Sequence, residues 1–201
     1  AKRIIFFGDS ITELGAQPGG YVTKIQEGFA KNGVNDQFEL IGSGVGGNKV
    51  YDLYLRMEED VLSKHPDVVV LYVGVNDVWH KALAGTGTDA DKFEKFYAAI
   101  IRKLQERNIA IIVCTPAVIG ERTDNSNQQD GDLNFYSRII RNLAVKYHCP
   151  LADLRAAFLE YNAKNNPENK GSGILTTDRV HLNDKGNQVV ADILMALLGG
   201  G

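Results

Sequence analysis

The chain has 201 residues, of which 44% are hydrophobic and 23% charged, and both fractions are ordinary for a globular protein with a full core. A formal net charge of −3 gives no sign of the excess positive charge that binding to nucleic acid or to an anionic membrane surface requires. No apolar stretch approaches the roughly 20 residues that a membrane span needs, and no linker, repeat or low-complexity tract divides the sequence, so we expect residues 1–201 to form one domain.

Apolar runs alternate with segments of helical period from one end of the sequence to the other. In chain order they predict strands at 4–7, 38–41, 67–73, 109–113 and 150–154. Each strand is followed by a predicted helix, at 21–31, 50–64, 91–107, 133–146 and 183–198 respectively. The third run is nearly all Val and Leu, which is typical of a strand buried on both faces. The alternation predicts right-handed crossovers and a parallel sheet with helices on both sides.

Three longer polar segments, 79–90, 117–132 and 165–177, are predicted to be loops. Ligands of such sheets bind beyond the carboxyl ends of the strands, so we expect these loops to wall the functional site.

The two cysteines, Cys114 and Cys149, are predicted to be free thiols. Cys114 lies toward the end of the apolar run 109–115 and Cys149 just before the fifth predicted strand, which places them at opposite edges of a parallel sheet, roughly 13–17 Å apart. A disulfide needs Cα atoms within about 7 Å. The four histidines and two cysteines show no zinc-ligand spacing, and we expect neither a metal nor another cofactor.

Four short segments, far apart in the chain, together supply the groups that ester cleavage requires. They are Gly8-Asp9-Ser10, Gly46-Gly47-Asn48, Gly74-Val75-Asn76-Asp77 and Asp178-Arg179-Val180-His181. They offer a hydroxyl nucleophile, a backbone donor beside glycine, an amide side chain and a carboxylate–imidazole pair. Each of the first three follows a predicted strand, so we expect all three at the same edge of the sheet.

The pair Asp178 and His181 is the sharpest of these signals. Three residues apart in a loop, the carboxylate can hold one imidazole nitrogen and leave the other free to accept a serine proton. The other histidines, His65, His80 and His148, lack this arrangement, and we assign them structural or solvent roles.

Residues 42–47 also match the pattern G-x-G-x-x-G between a strand and a helix, which makes a nucleotide-binding module an alternative. Two features weaken it: the motif follows the second strand rather than the first, and no acidic residue ends the next strand. A non-catalytic domain that binds a carbohydrate or a partner is a further alternative.

At the four segments the chain resembles the GDSL, or SGNH, hydrolase family of esterases and lipases. Ile11 stands where the family name has Leu, and Asn48 where many members carry Asp. The resemblance implies a flavodoxin-like α/β/α three-layer sandwich whose five-stranded parallel sheet has the order 2-1-3-4-5. It also implies Ser10 as nucleophile, His181 as general base and Asp178 as its orienting carboxylate. The implied oxyanion hole consists of the backbone N–H groups of Ser10 and Gly47 and the amide of Asn76, with Gly47 preferred over Gly46 on family alignment alone.

The polar composition of the three loops favours a short acyl group on a polar alcohol, such as an acetylated sugar; the alternative is that they are solvated surface. Asp9, Trp79 and Arg122 are the candidate substrate-binding residues, with Trp79 as a stacking platform. Lysophospholipid or thioester hydrolysis, and acetyl transfer to an acceptor other than water, stay open. The chain begins at Ala1 without a signal peptide, so we expect either a cytoplasmic protein or an exported one whose leader has been removed. The sequence does not indicate the oligomeric state.

Overall fold

Five parallel strands form one sheet in the order β2-β1-β3-β4-β5 in the computed structural model, which describes residues 1–199. The strands are β1 (Lys2–Gly8), β2 (Phe38–Gly44), β3 (Val68–Tyr72), β4 (Ala110–Cys114) and β5 (Leu151–Ala152). Their register aligns the carboxyl ends: Gly8 pairs with Gly44 on one side and with Tyr72 on the other. This confirms the predicted sheet and its strand order.

Within residues 1–199, eight helices connect and cover the strands. They are α1 (Ser10–Gly15), α2 (Tyr21–Lys31), α3 (Val50–Asp60), α4 (Val75–Ala84), α5 (Ala90–Glu106), α6 (Asp130–Lys146), α7 (Leu154–Asn165) and α8 (Asp184–Leu198), and short 3-10 turns lie at Asn35–Gln37 and Leu62–Lys64. Helix α3 is shorter than predicted because the backbone leaves the helical region at Val61, where φ is −129°.

The side chains of β1 show how the sheet separates two helix layers. Successive strand residues point to opposite faces, and Phe6 meets the ring of Tyr21 in α2, with centroids 6.0 Å apart. Phe7 points the other way and lies under the guanidinium of Arg56 in α3, at 4.7 Å. Helix α2 packs against α8 on the first face, and α5 packs between α3 and α6 on the second. The expected three-layer sandwich is confirmed.

Strand β3 is the centre of the core, because all five of its residues are buried. Burial of an aliphatic side chain of this size stabilises a fold by about 1.5–3 kcal/mol. The predicted burial of this strand on both faces is therefore confirmed.

Three helices were not predicted, and one of them corrects a loop prediction. Residues 79–84 belong to α4 rather than to a loop, because Gly74, with φ of 141°, starts the helix and Gly85, in the left-handed region, ends it. In α7 the buried stripe includes Arg155 and Asn162, so its sequence lacks an apolar period. Helix α1 has only six residues, too few for a periodic signal.

Both cysteines are free thiols, Cys114 buried and Cys149 half-buried, as predicted. Across residues 1–199, no helix has the length and apolar character to cross a membrane.

Candidate active site

Ser10 begins helix α1 at the carboxyl end of β1. Asp9 caps this helix, and its Oδ1 accepts the backbone N–H of Ile11 at 3.0 Å. As the first residue of the helix, Ser10 has a backbone N–H without an acceptor inside the helix. The turn therefore presents a hydroxyl and a free backbone donor at the same point.

His181 approaches Ser10 from the loop before α8, 171 residues further along the chain. The Ser10 hydroxyl oxygen lies 3.0 Å from His181 Nε2, and His181 Nδ1 lies 2.6 Å from Asp178 Oδ2. The other oxygen, Asp178 Oδ1, accepts the backbone N–H groups of Val180 at 3.1 Å and His181 at 2.7 Å. The structure thus brings the three predicted triad residues together in one hydrogen-bonded chain.

The charge state of Asp178 suits this arrangement. Partial burial would raise the pKa of its carboxyl, but the hydrogen bonds from the His181 side chain and from the backbone of His181 and Val180 outweigh it and lower the pKa. An ionised carboxylate at Nδ1 fixes the imidazole proton on that nitrogen and leaves Nε2 as an acceptor for the hydroxyl proton.

The glycine loop, residues 45–49 between β2 and α3, lies beside Ser10. The N–H of Gly46 donates to Glu13 Oε1 at 3.0 Å, whereas no described residue accepts the N–H of Gly47. Gly47 has φ of 78°, in the region that favours glycine, and its position is open, with no atom within 4 Å of where a Cβ would lie. Of the two glycines, Gly47 is the one with a free donor.

Asn76 joins the glycine loop to the start of α4. Its Nδ2 donates to the backbone oxygen of Asn48 at 3.1 Å, and the side chain is 4% exposed. One amide hydrogen is used in this bond, so the second is free for another acceptor.

The G-x-G-x-x-G match does not form a phosphate-binding turn. Its first three residues, 42–44, lie in β2 and pair with residues 6–8 of β1. A Cβ at Gly44 would lie 2.2 Å from the backbone nitrogen of Glu13, so this glycine serves the close packing of α1 on β2.

Arg56 of α3 binds the strand ends and the glycine loop around Ser10, a role that was not predicted from the sequence. Its Nη2 donates to the backbone oxygens of Gly8 at 2.9 Å and Ser43 at 3.0 Å, and its Nε donates to Asn48 Oδ1 at 2.7 Å. One guanidinium thus connects the end of β1, the end of β2 and residue Asn48 of the glycine loop. An arginine inside an amphipathic helix gives no sequence signal for this.

Glu121 was also missed, because nothing in the sequence relates it to the His181 loop. Its carboxylate is 1% exposed and accepts five hydrogen bonds. The donors are Asn162 Nδ2 and Leu175 N at Oε1, and Ile174 N, Thr176 N and Thr176 Oγ1 at Oε2. Four of the five come from residues 174–176, so Glu121 anchors the segment that leads into Asp178 and His181.

Two further carboxyls are buried near the nucleophile. Burial raises the pKa of Asp9 to about 7, assisted by the nearby charge of Asp77. Burial likewise raises the pKa of Asp77 to about 6, against the hydrogen bonds from Thr88 and Val50. Asp9, a predicted substrate-binding residue, is 1% exposed, and its Oδ1 accepts the backbone N–H of Ile11 at the N-terminus of α1.

The other two predicted substrate-binding residues lie at the surface. Trp79 is half-buried in α4, three residues after Asn76, so the two side chains share one face of the helix. Arg122 is exposed, and its Nη1 donates to the backbone oxygen of Asn169 at 3.2 Å.

Within the described residues, none of the remaining histidines is hydrogen-bonded to Ser10, Asp178 or His181. His65 and His148 both have a positive φ and follow helical turns, which agrees with structural roles. Burial, together with the charge of Lys49, lowers the pKa of His80. Among residues 1–199, no group of three or more His, Cys, Asp or Glu side chains is arranged to hold a metal ion.

The chain is similar to several esterases along nearly its whole length. The model of the GDSL-like lipase/acylhydrolase family matches residues 6–189. A solved structure of an acetyl xylan esterase is 66% identical, with a TM-score of 0.96 over 98% of this chain and 99% of that one. An acetylxylan esterase of Geobacillus stearothermophilus is 27% identical over 220 residues, which cover 98% of this chain and 94% of that protein.

Three solved structures of that Geobacillus enzyme are of catalytic mutants, in which a histidine, a serine or an aspartate is replaced by alanine. They have TM-scores of 0.86 or 0.87 and are 25% or 26% identical, over 99% of this chain and 94% of theirs. The family match over residues 6–189 confirms the resemblance inferred from the four motifs: the chain belongs to the GDSL-like lipase/acylhydrolase family and is a carboxylic ester hydrolase.

Proposed function

We propose that the protein is a serine esterase that removes acetyl groups from a carbohydrate, with Ser10, His181 and Asp178 as its catalytic triad. The observation that carries the proposal is the pair of short distances, 3.0 Å from Ser10 Oγ to His181 Nε2 and 2.6 Å from His181 Nδ1 to Asp178 Oδ2. These are the contacts by which a base removes a serine proton and a carboxylate holds that base.

The comparison with the Geobacillus enzyme supports the triad. Its catalytic mutants replace a serine, a histidine and an aspartate, and that aspartate precedes that histidine by three residues. Asp178 and His181 have the same separation.

The reaction begins when the Ser10 hydroxyl attacks the ester carbonyl while His181 Nε2 takes its proton. The negative charge that develops on the carbonyl oxygen is stabilised by the backbone N–H groups of Ser10 and Gly47 and by the free amide hydrogen of Asn76. His181 then protonates the leaving alcohol. A water molecule, deprotonated by the same imidazole, hydrolyses the acyl-enzyme.

The preference for acetyl on a sugar has two supports. The relatives named above are acetylxylan esterases. In addition, Trp79 follows Asn76 by three residues in α4, which supports a role for its ring in stacking against a sugar bound at the oxyanion hole. We also propose that residues 1–201 act as one catalytic domain.

Hydrolysis of p-nitrophenyl acetate, butyrate and octanoate by the intact protein and by Ser10→Ala tests the proposal. We expect kcat/KM to fall with acyl length and the Ser10→Ala variant to lose more than about a thousandfold. Ser63→Ala is the matched control, because Ser63 is exposed and its hydroxyl donates to the backbone oxygen of Glu59, far from the triad in the sequence. Acetate release from acetylated xylo-oligosaccharides then tests the alcohol.

Two outcomes would contradict the proposal. A preference for octanoate would favour a lysophospholipase or thioesterase on longer acyl chains. Ester hydrolysis that persists in Ser10→Ala would contradict the role of Ser10 as the nucleophile.

A further inference from the structure

Two arginines without ionic partners line one polar pocket beside the catalytic loop. The pocket is lined by Arg122, Ser126, Asn127, Gln128, Gly171 and Arg179. No carboxylate is among them, and within the described part of the chain neither arginine is in an ion pair. The pocket lining therefore carries two positive charges and no negative one, and the carboxylates of Asp124 and Asp130 next to it accept hydrogen bonds from Ser126 and Asn127.

The pocket adjoins the triad because Arg179 lies between Asp178 and His181 in the chain. Two residues span at most about 7 Å, so the Cα atoms of Arg179 and His181 are no further apart than that. The backbone here is fixed at both ends: Arg179 N donates to Thr176 Oγ1 at 3.1 Å, and Arg179 O accepts the N–H of Gly120 at 2.8 Å.

The backbone at Arg179 is strained, and the strain indicates that its side chain has a function. Its φ is 83°, and the five other non-glycine residues with positive φ in the described residues are all asparagine or histidine. A long side chain in this region costs on the order of 1 kcal/mol, which a glycine would avoid. The hydrogen bonds to Thr176 and Gly120 involve only the backbone of Arg179, so they do not require an arginine.

Arg122 is held in place on the other side of the pocket. The buried side chain of Asn127 accepts the N–H of Arg122 at 3.3 Å and donates to its backbone oxygen at 2.8 Å. The bond from Arg122 Nη1 to Asn169 O fixes one arm of the guanidinium, and its other donors remain available.

We propose that Arg122 and Arg179 bind a carboxylate carried by the substrate, so that the enzyme prefers an acetylated sugar chain bearing a uronic acid next to the esterified sugar. This rests on the proposed function. A guanidinium fork matches the two oxygens of a carboxylate, and such charge-assisted bonds are stronger than neutral ones. The amide of Gln128, which lines the same pocket, suits a neutral hydroxyl group of the same sugar.

The test compares kcat/KM for acetylated xylo-oligosaccharides with and without a uronic acid substituent. We expect the intact protein to favour the acidic substrate by about tenfold, mostly through KM, and to lose this preference between 0.05 and 0.5 M salt, because exposed charges are screened. Arg179→Gly and Arg122→Gln should each bring the ratio of the two kcat/KM values close to one. The ratio is unaffected by a loss of activity common to both substrates.

Arg138→Gln is the matched control, because it removes the same charge from an exposed site on α6 and should keep the tenfold ratio. A ratio near one in the intact protein, or a preference kept in both arginine variants, would overturn the proposal. A change of molecular mass in the variants by sedimentation would also overturn it, by assigning the arginines to a contact with a second copy. If the intact protein hydrolyses neither substrate faster than Ser10→Ala does, the result would instead contradict the proposed function.

Discussion

The buried carboxylate of Glu121 accepts the backbone N–H of Leu175 at 2.8 Å, which fastens the loop of His181 to the segment that follows β4. The backbone oxygen of Leu175 in turn accepts the N–H of Asn183, the cap of α8. The position of His181 against Ser10 therefore depends on a carboxylate that itself touches neither residue.

Replacing Glu121 with Gln is expected to destabilise the protein by about 2–4 kcal/mol. The amide group of Gln would place hydrogens against donors, either Leu175 N and Asn162 Nδ2 or the donors at the other oxygen, and leave them unsatisfied. Urea unfolding measures the loss. The loosened loop should also lower kcat under conditions where the variant is folded.

Glu160→Gln is the control for this variant, because Glu160 is exposed and pairs only with Lys164. We expect it to change the free energy of unfolding by less than about 0.5 kcal/mol. Equal stabilities for the two variants would show that the buried carboxylate does not anchor the loop.

Asp178→Asn is expected to lower kcat more than Asp178→Ala does. Asp178 Oδ1 accepts two backbone N–H groups, so the oxygen of Asn would take that place and its NH₂ would face His181 Nδ1. The imidazole proton would then move to Nε2, which could no longer accept the proton of Ser10.

We expect a loss on the order of 10³- to 10⁴-fold for Asn and a smaller one for Ala, in which water can reach the half-exposed site. The measurement is kcat for p-nitrophenyl acetate at pH 8. Asp192→Asn, an exposed change on α8, serves as the control. An Asn variant as active as the Ala variant would contradict the tautomer argument.

Asn76→Ala is expected to lower kcat by about 100- to 1000-fold with a small change in KM, as removal of one oxyanion donor does. The control is Asn165→Ala, since the Asn165 amide is exposed and donates only to the backbone oxygen of Tyr161. A large rise in KM at constant kcat would instead mean that Asn76 binds the substrate in its ground state.

The sequence predicted the sheet and the triad because both have local signals. The run of Val and Leu at 67–73 marks a buried strand, and a separation of three positions between Asp178 and His181 can place a carboxylate beside an imidazole. The residues that hold the site in position, Glu121 and Arg56, have no such local signal. Glu121 meets Leu175 across 54 residues, and Arg56 meets Gly8 across 48, so these contacts follow only from tertiary packing.

The choice between Gly46 and Gly47 shows the same limit. Both glycines precede Asn48 and are equivalent as sequence signals. The bond from Gly46 N to Glu13 Oε1 distinguishes their backbone donors, because it uses one donor and leaves the other free. Likewise the sequence makes Asp9 a candidate for substrate binding, and only the structure shows that its side chain caps α1.

The buried Asp9 predicts a pH dependence of stability. Its pKa of about 7 in the folded protein exceeds the ordinary value of 3.8. Between these pH values the folded state holds a proton that the unfolded chain has lost, so this group makes the protein less stable as pH rises from about 4 to 7, with no further change above that range. The full effect is on the order of 4 kcal/mol.

Asp9→Asn should remove this slope, because Asn keeps an oxygen for the N–H of Ile11 but does not ionise. Relative to the intact protein, the variant should therefore gain stability between pH 5 and pH 8, measured by urea unfolding at both values. Asp36→Asn, at an exposed position in the turn before β2, is the control and should show no such gain. A difference between Asp9→Asn and the intact protein that stays constant with pH would mean that Asp9 is ionised in its buried position throughout this range.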